Sequence, residues 1–151
     1  MAYEFKKHKM VDGRRYGPTS NGWYYQPADY HGKTNKTQSK KGKKSKNREH
    51  EDKTHWILTK SQQYDVFLEG VEGKFMDKKN MFSVIDNCNV VMGEDNERIA
   101  LFPVPPTGTV DWHGYPVSSE EEKLTNEIMD KFLKAKAITL ATYSRMLRRD
   151  L

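Results

Sequence analysis

The 23 residues between His31 and His55 include no Ala, Val, Ile, Leu, Met, Phe, Trp, Tyr or Cys. A segment without apolar surface cannot offset the roughly 1–2 kcal/mol per residue that ordering a backbone costs. It is expected to stay outside any core as a solvated, disordered arm, which leaves folding to the residues on either side. From Lys33 to Arg48 the stretch reads KTNKTQSKKGKKSKNR, and every charged residue in it is basic. Residues 1–50 hold 13 Lys and Arg against 4 Asp and Glu, whereas residues 51–151 hold 13 against 17. The formal net charge of +5 is therefore expected to describe a cationic arm on a mildly acidic body.

A chain of 151 residues suits one domain with an extension. The expected organisation is an aromatic N-terminal extension over residues 1–30, a basic linker over 31–55 and a core domain over 56–151. A core of that size leaves little room for a large ligand cavity. Apolar runs reach about four residues, as at Ile99–Phe102, against the about 20 that a membrane span needs. No membrane segment is expected, and the opening MAYEFKKHKM has no apolar stretch of the kind an export signal carries. Cys88 is the sole cysteine, so no intramolecular disulfide or cysteine-based zinc cluster is possible within the chain. These features favour a reducing compartment, the cytoplasm first, although KKGKKSK also suits a nuclear import signal.

The fold class expected is α+β: a small antiparallel sheet of three to four strands packed by C-terminal helices, preceded by an aromatic hairpin and the disordered Lys-rich arm. Asn21-Gly22 between aromatic flanks predicts the hairpin, because both residues tolerate positive φ. Its alternation points Trp23 and Tyr25 inward and Tyr24 outward. Ser61 is placed to cap a helix with Tyr64, Phe67, Leu68 and Val71 on one face, ended by Gly70 and Gly73. Met81–Ile85, Asn89–Met92 and Arg98–Phe102 read as a strand meander, stopped by Pro103, Pro105 and Pro106. Ser119 with Glu122 has capping-box spacing for a helix bearing Leu124, Ile128, Phe132 and Ala135. A last helix is expected from about Thr139 to Arg149, with Leu140, Tyr143 and Leu147 on its inner side.

Several groups carry candidate chemistry. Lys33, Lys36, Lys40, Lys41, Lys43, Lys44, Lys46 and Arg48 would gain affinity for nucleic acid by releasing its condensed counterions, which needs no fixed geometry. Arg14, Arg15 and Tyr24, with Tyr16, Trp23, Tyr25 and Tyr30 around them, would stack bases and hold phosphates, or else cover a core edge. Asp111-Trp112-His113-Gly114-Tyr115 is where catalysis is conceivable: His113 would move protons with Asp111 or Tyr115 orienting it, while Gly114 would let a ligand approach. The plainer alternative is a loop whose aromatic rings plug the core. KAITLATYSRMLRRDL resembles the second helix of a helix-turn-helix module, with Arg145, Arg148 and Arg149 toward phosphates. A terminal helix packed on the sheet, its arginines complementing the C-terminal dipole, is the preferred account. His50 and His55, with Glu49, Glu51 and Asp52, match no metal-binding spacing, and Cys88 has no neighbour to activate it. No metal or other cofactor is expected.

Three functions follow from these residues. The leading one is a non-enzymatic nucleic-acid-binding protein, for RNA or DNA, using the Lys-rich arm. The second is a protein-interaction module, an inhibitor or adaptor, whose acidic core engages a basic partner. The third is a small metal-independent nuclease using His113 with Asp111, Tyr115 and Arg145.

Overall fold

The computed structural model describes residues 3–27 and 55–151, so the basic stretch from Lys33 to Arg48, expected to be a disordered arm, lies outside the described residues. Leu101 sits at the centre of a three-stranded sheet, with Phe82 opposite it on one side and Tyr115 on the other. The central strand β3 (Ile99–Pro103) runs antiparallel to both β2 (Asn80–Ser83) and β5 (Tyr115–Val117). A separate parallel pair joins β1 (Tyr24–Tyr25) to β4 (Asp111–Trp112). Three helices accompany them among the described residues: α1 (Lys60–Gly73), α2 (Asn126–Lys134) and α3 (Leu140–Leu147). The fold is mixed α+β. No helix among the described residues is long and apolar enough to cross a membrane.

Ile99 through Phe102 are all buried, and the alternation of a strand divides them between two sides. Ala100 and Phe102 join a cluster with Tyr16, Tyr25, Trp56, Phe67 and Trp112. Ile99 and Leu101 join a second one with Phe82, Val117, Ile128, Phe132 and Met146. A strand covered on both faces reads as an unbroken apolar run, which is what IALF is.

The aromatic hairpin forms and docks on this body. Tyr16 and Tyr25 exchange both backbone hydrogen bonds at 2.9 Å, and the Gly22 N–H donates to the Thr19 carbonyl across the turn. Gly22 has a φ of 85°, the left-handed conformation that glycine adopts without penalty. Ahead of the hairpin, buried Asp65 of α1 gathers the chain: it accepts from the Tyr3 hydroxyl at 3.0 Å and the Lys6 N–H at 3.1 Å, and lies 3.1 Å from His8 Nε2. Burial first, then this hydrogen bond, raises the pKa of the Tyr3 hydroxyl. The hydrophobic core thus draws on residues well before Trp56. Residues 3–27 carry 5 Lys and Arg against 2 Asp and Glu, and residues 55–151 carry 12 against 15. The two stretches cancel, so the described body has a formal charge of zero.

The ends of the elements depart from the sequence expectations for local reasons. Thr59, not Ser61, caps α1, because Thr59 and Gln62 satisfy each other's backbone N–H groups. Ser61 Oγ instead accepts the His8 N–H at 2.9 Å. Gly70 lies inside α1 and lets it approach β2, since a Cβ there would meet the Phe82 carbonyl at 3.0 Å. Asn89–Met92 is not a strand. Asp86, Asn87 and Cys88 have φ of 53°, 58° and 64°, a left-handed turn that takes the chain out of the sheet. The third strand is Tyr115–Val117, from the stretch expected to be a loop.

Ser118 closes a turn with Glu121 and Glu122 and no helix begins at Ser119; Thr125 caps α2, leaving Ala135 exposed beyond its last residue. In α3 the buried residues are Thr142 and Met146; of the three expected inward, Tyr143 packs partly buried against the second cluster, whereas Leu140 is 67% and Leu147 is 54% exposed.

Two substitutions test this packing. Gly114→Ala would push a methyl into the Phe102 ring and within 2.8 Å of the Leu101 carbonyl. The loss expected is about 1–3 kcal/mol, read by urea or thermal unfolding; an unchanged midpoint would refute the packing. Asp65→Ala removes the shared acceptor of residues 3–8 and is expected to cost about 1–3 kcal/mol. Amide exchange at Lys6 should accelerate with it, and protection equal to the parent would refute the docking.

Candidate nucleic-acid interface

Buried Tyr25 and Trp112 are register partners in the β1–β4 pair. Successive strand residues point to opposite faces, so Tyr24, Asp111 and His113 face outward. Tyr16 points inward opposite Tyr25, which sets Arg15 on the same outer face. The alternation expected for the hairpin holds at Tyr24 and Tyr25, whereas Trp23 is half-buried and packs against Trp112 with centroids 4.8 Å apart.

Arg15 organises this face. Its Nε donates to Asp12 Oδ2 at 2.8 Å and its Nη1 to Asp111 Oδ1 at 2.7 Å. The guanidinium carbon lies 4.1 Å from the centre of the Tyr24 ring, a cation–π contact. The bond to Asp111, followed by that to Asp12, raises the Arg15 pKa. Asp12 also accepts the backbone N–H groups of Arg14 and Arg15. These bonds, the Arg14 N–H foremost, hold its carboxyl down to about 2. Arg14 is exposed.

His113 is exposed and its Nδ1 lies 2.9 Å from the Gln26 carbonyl. A carbonyl only accepts, so Nδ1 carries the proton and Nε2 faces outward as the acceptor in the neutral ring. Of the two expected orienting groups, Asp111 pairs with Arg15, and Tyr115 packs against the second hydrophobic cluster. Burial, then the Glu122 charge, raises the Tyr115 pKa. Gly114 admits the Phe102 ring and the Leu101 carbonyl rather than a ligand. Trp112 plugs the core, and its indole N–H finds no acceptor among the described residues.

The two ends of the segment outside the described residues are fastened differently. The Gln26 N–H donates to the Trp112 carbonyl at 2.9 Å, and Trp56 Nε1 donates to the Gly114 carbonyl at 3.0 Å. At the second end the backbone itself pairs with Gly93, where the Ile57 N–H donates to the Met92 carbonyl and the Glu94 N–H to the His55 carbonyl, and only the buried indole reaches Gly114. Lys33, Lys36, Lys40, Lys41, Lys43, Lys44, Lys46 and Arg48 lie within that interval, outside the described residues, as do His50, Glu49, Glu51 and Asp52.

The C-terminal arginines form a different network. Arg145 and Arg148 both pair with Asp150 at 3.3 Å, and Arg149 donates to the Ser119 and Glu120 carbonyls. With Leu140 and Leu147 outward, α3 presents apolar side chains where a groove-reading helix would carry polar ones. Arg145 thus belongs with Asp150, and His113 and Asp111 with Gln26 and Arg15. His55 stands 3.8 Å from Glu94, and no group of three or more His, Cys, Asp or Glu among the described residues could hold a metal ion.

Asp12 and the Gln26 carbonyl escape sequence reasoning for different reasons. Asp12-Gly13-Arg14-Arg15 is a turn signature that could have been read; a backbone carbonyl leaves no trace in residue types.

Burial pushes the Cys88 thiol up to about 12, against the opposing charges of Arg98 and Arg145. At pH 8 the folded thiol is therefore protonated and shielded. A disulfide reagent at pH 8 should label Cys88 only as the protein unfolds, and prompt stoichiometric labelling of the native protein would contradict this. Comparisons with protein-family models, curated proteins and solved structures find no match to this chain.

Proposed function

We propose that this protein binds nucleic acid without transforming it, the basic segment from Lys33 to Arg48 supplying most of the affinity. One observation carries the reading. The described body sums to zero charge, so the whole +5 falls within residues 28–54. Eight basic side chains within sixteen consecutive residues, Lys33 to Arg48, are a concentration of cations suited to a polyphosphate. Arg14 and the outward ring of Tyr24 precede it in the chain.

The alternatives have less support. An acidic core recruiting a basic protein loses its charge when residues 3–27 are counted with the body they pack against. For a nuclease built on His113 the structure offers less: Arg145 pairs with Asp150, and His113 with the Gln26 carbonyl. The lone buried cysteine fits a reducing compartment such as the cytoplasm.

The test is binding of the purified chain to RNA and to duplex DNA by fluorescence anisotropy across a salt series. Affinity is expected to fall about a thousandfold between roughly 50 and 200 mM salt. Replacing Lys40, Lys41, Lys43, Lys44 and Lys46 with Gln should flatten that dependence and remove most of the binding. Affinity indifferent to those replacements would end the reading.

A further inference from the structure

We propose that residues 3–10 form a strap latched to α1 by the Asp65 carboxylate, and that this strap opens and closes as one unit while the rest of the body stays folded. The proposal does not depend on the nucleic-acid reading. Residues 3–10 form no strand or helix, and among the described residues no backbone–backbone hydrogen bond holds them. Tyr3, Phe5, His8 and Met10 are half-buried, whereas Glu4, Lys6, Lys7 and Lys9 are exposed. Tyr3, Phe5 and Met10 rest on the first hydrophobic cluster, and the His8 ring stands edge-on to Tyr64 with centroids 4.8 Å apart. On the α1 side, everything that holds the segment is a side chain.

The latch is a single acceptor. Asp65 is buried; its Oδ2 takes the Tyr3 hydroxyl and the Lys6 N–H, and its Oδ1 faces His8 Nε2. A carboxylate only accepts, so all three partners are donors. Breaking one bond in place leaves that oxygen short of a partner, because the strap still excludes water. Lifting the whole strap hydrates the carboxylate and its donors together. Intermediate positions are therefore disfavoured, and the segment moves as a unit. Its hinge falls before Val11, whose N–H donates to the Arg15 carbonyl at 2.8 Å and closes a turn onto the hairpin. Residues ahead of that bond can swing without disturbing Tyr16 or Tyr25. Half-buried rings and few hydrogen bonds put the strap at the low-stability end of the molecule, against a β3 buried on both faces. Opening carries Lys6, Lys7 and Lys9 away from the body and bares the side of Tyr64 that His8 covers.

The experiment follows amide exchange of the full chain by NMR across a series of low urea concentrations. Relative to their intrinsic rates, the Lys6 and His8 amides are expected to exchange about tenfold faster than the buried amides of β3, or more. Their exchange should depend little on urea, because a lifted strap exposes little surface. Tyr3→Phe keeps the ring, removes one donor and touches the bond of neither amide. It should speed Lys6 and His8 by one common factor, about fivefold for a single hydrogen bond. Ser61→Ala removes the acceptor of the His8 N–H and should speed Lys6 as well. Lys6 and His8 sharing the protection and urea dependence of β3 would mean that the strap leaves only on global unfolding, and would overturn the proposal. Either substitution moving one amide without the other, or moving neither, would overturn it too.

Discussion

A strand buried on both faces imposes layers above and below it, and β3 is that strand here. Each aromatic or aliphatic side chain fully removed from water contributes about 1.5–3 kcal/mol, so Ile99, Leu101 and Phe102 are worth burying only if both sides are covered. On one side α2 and α3 bring Ile128, Phe132 and Met146. On the other, α1 brings Phe67 but leaves a gap that Tyr16, Tyr25 and Trp112 fill. The N-terminal hairpin is for that reason part of the covering layer. Its placement then fixes everything beside it: Tyr25 inward requires Tyr24 outward, and the pairing with β4 requires His113 outward.

What the sequence conveyed well was periodicity, and what it hid was geometry between distant residues. The α1 stripe of Tyr64, Phe67 and Val71 is legible because a helix repeats its inner face every three to four residues. The Asn-Gly hairpin is legible because its turn chemistry is local. Asn89–Met92 misleads: its valines have strand propensity, but the left-handed residues 86–88 have already redirected the chain. In α3 the larger leucines suggest the wrong face. Met146 and Ile138 fill the available space beside Phe132, and the Thr139 cap that sets the helix's rotation is itself held by Asn87, whose Oδ1 accepts the Thr139 N–H at 2.9 Å.

The same division runs through the candidate interface. That Tyr24 faces outward follows from alternation alone. That Arg15 is shared between Asp12 and Asp111 does not, because Asp111 lies 96 residues away. Sequence counting credits Arg15 as a free cation and His113 as a partner of Asp111, whereas folding pairs Arg15 with Asp111 and gives His113 a backbone carbonyl. The face is consequently less charged and more aromatic in character than its residue types suggest.

Neutrality of the body matters more than any single contact. Had residues 55–151 folded without the N-terminal segment, an excess of three carboxylates would repel polyanions. Packing residues 3–27 onto that body, with five cations against Glu4 and Asp12, cancels the excess. The docked N-terminal segment that completes the core thus also brings the summed formal charge of the described body to zero.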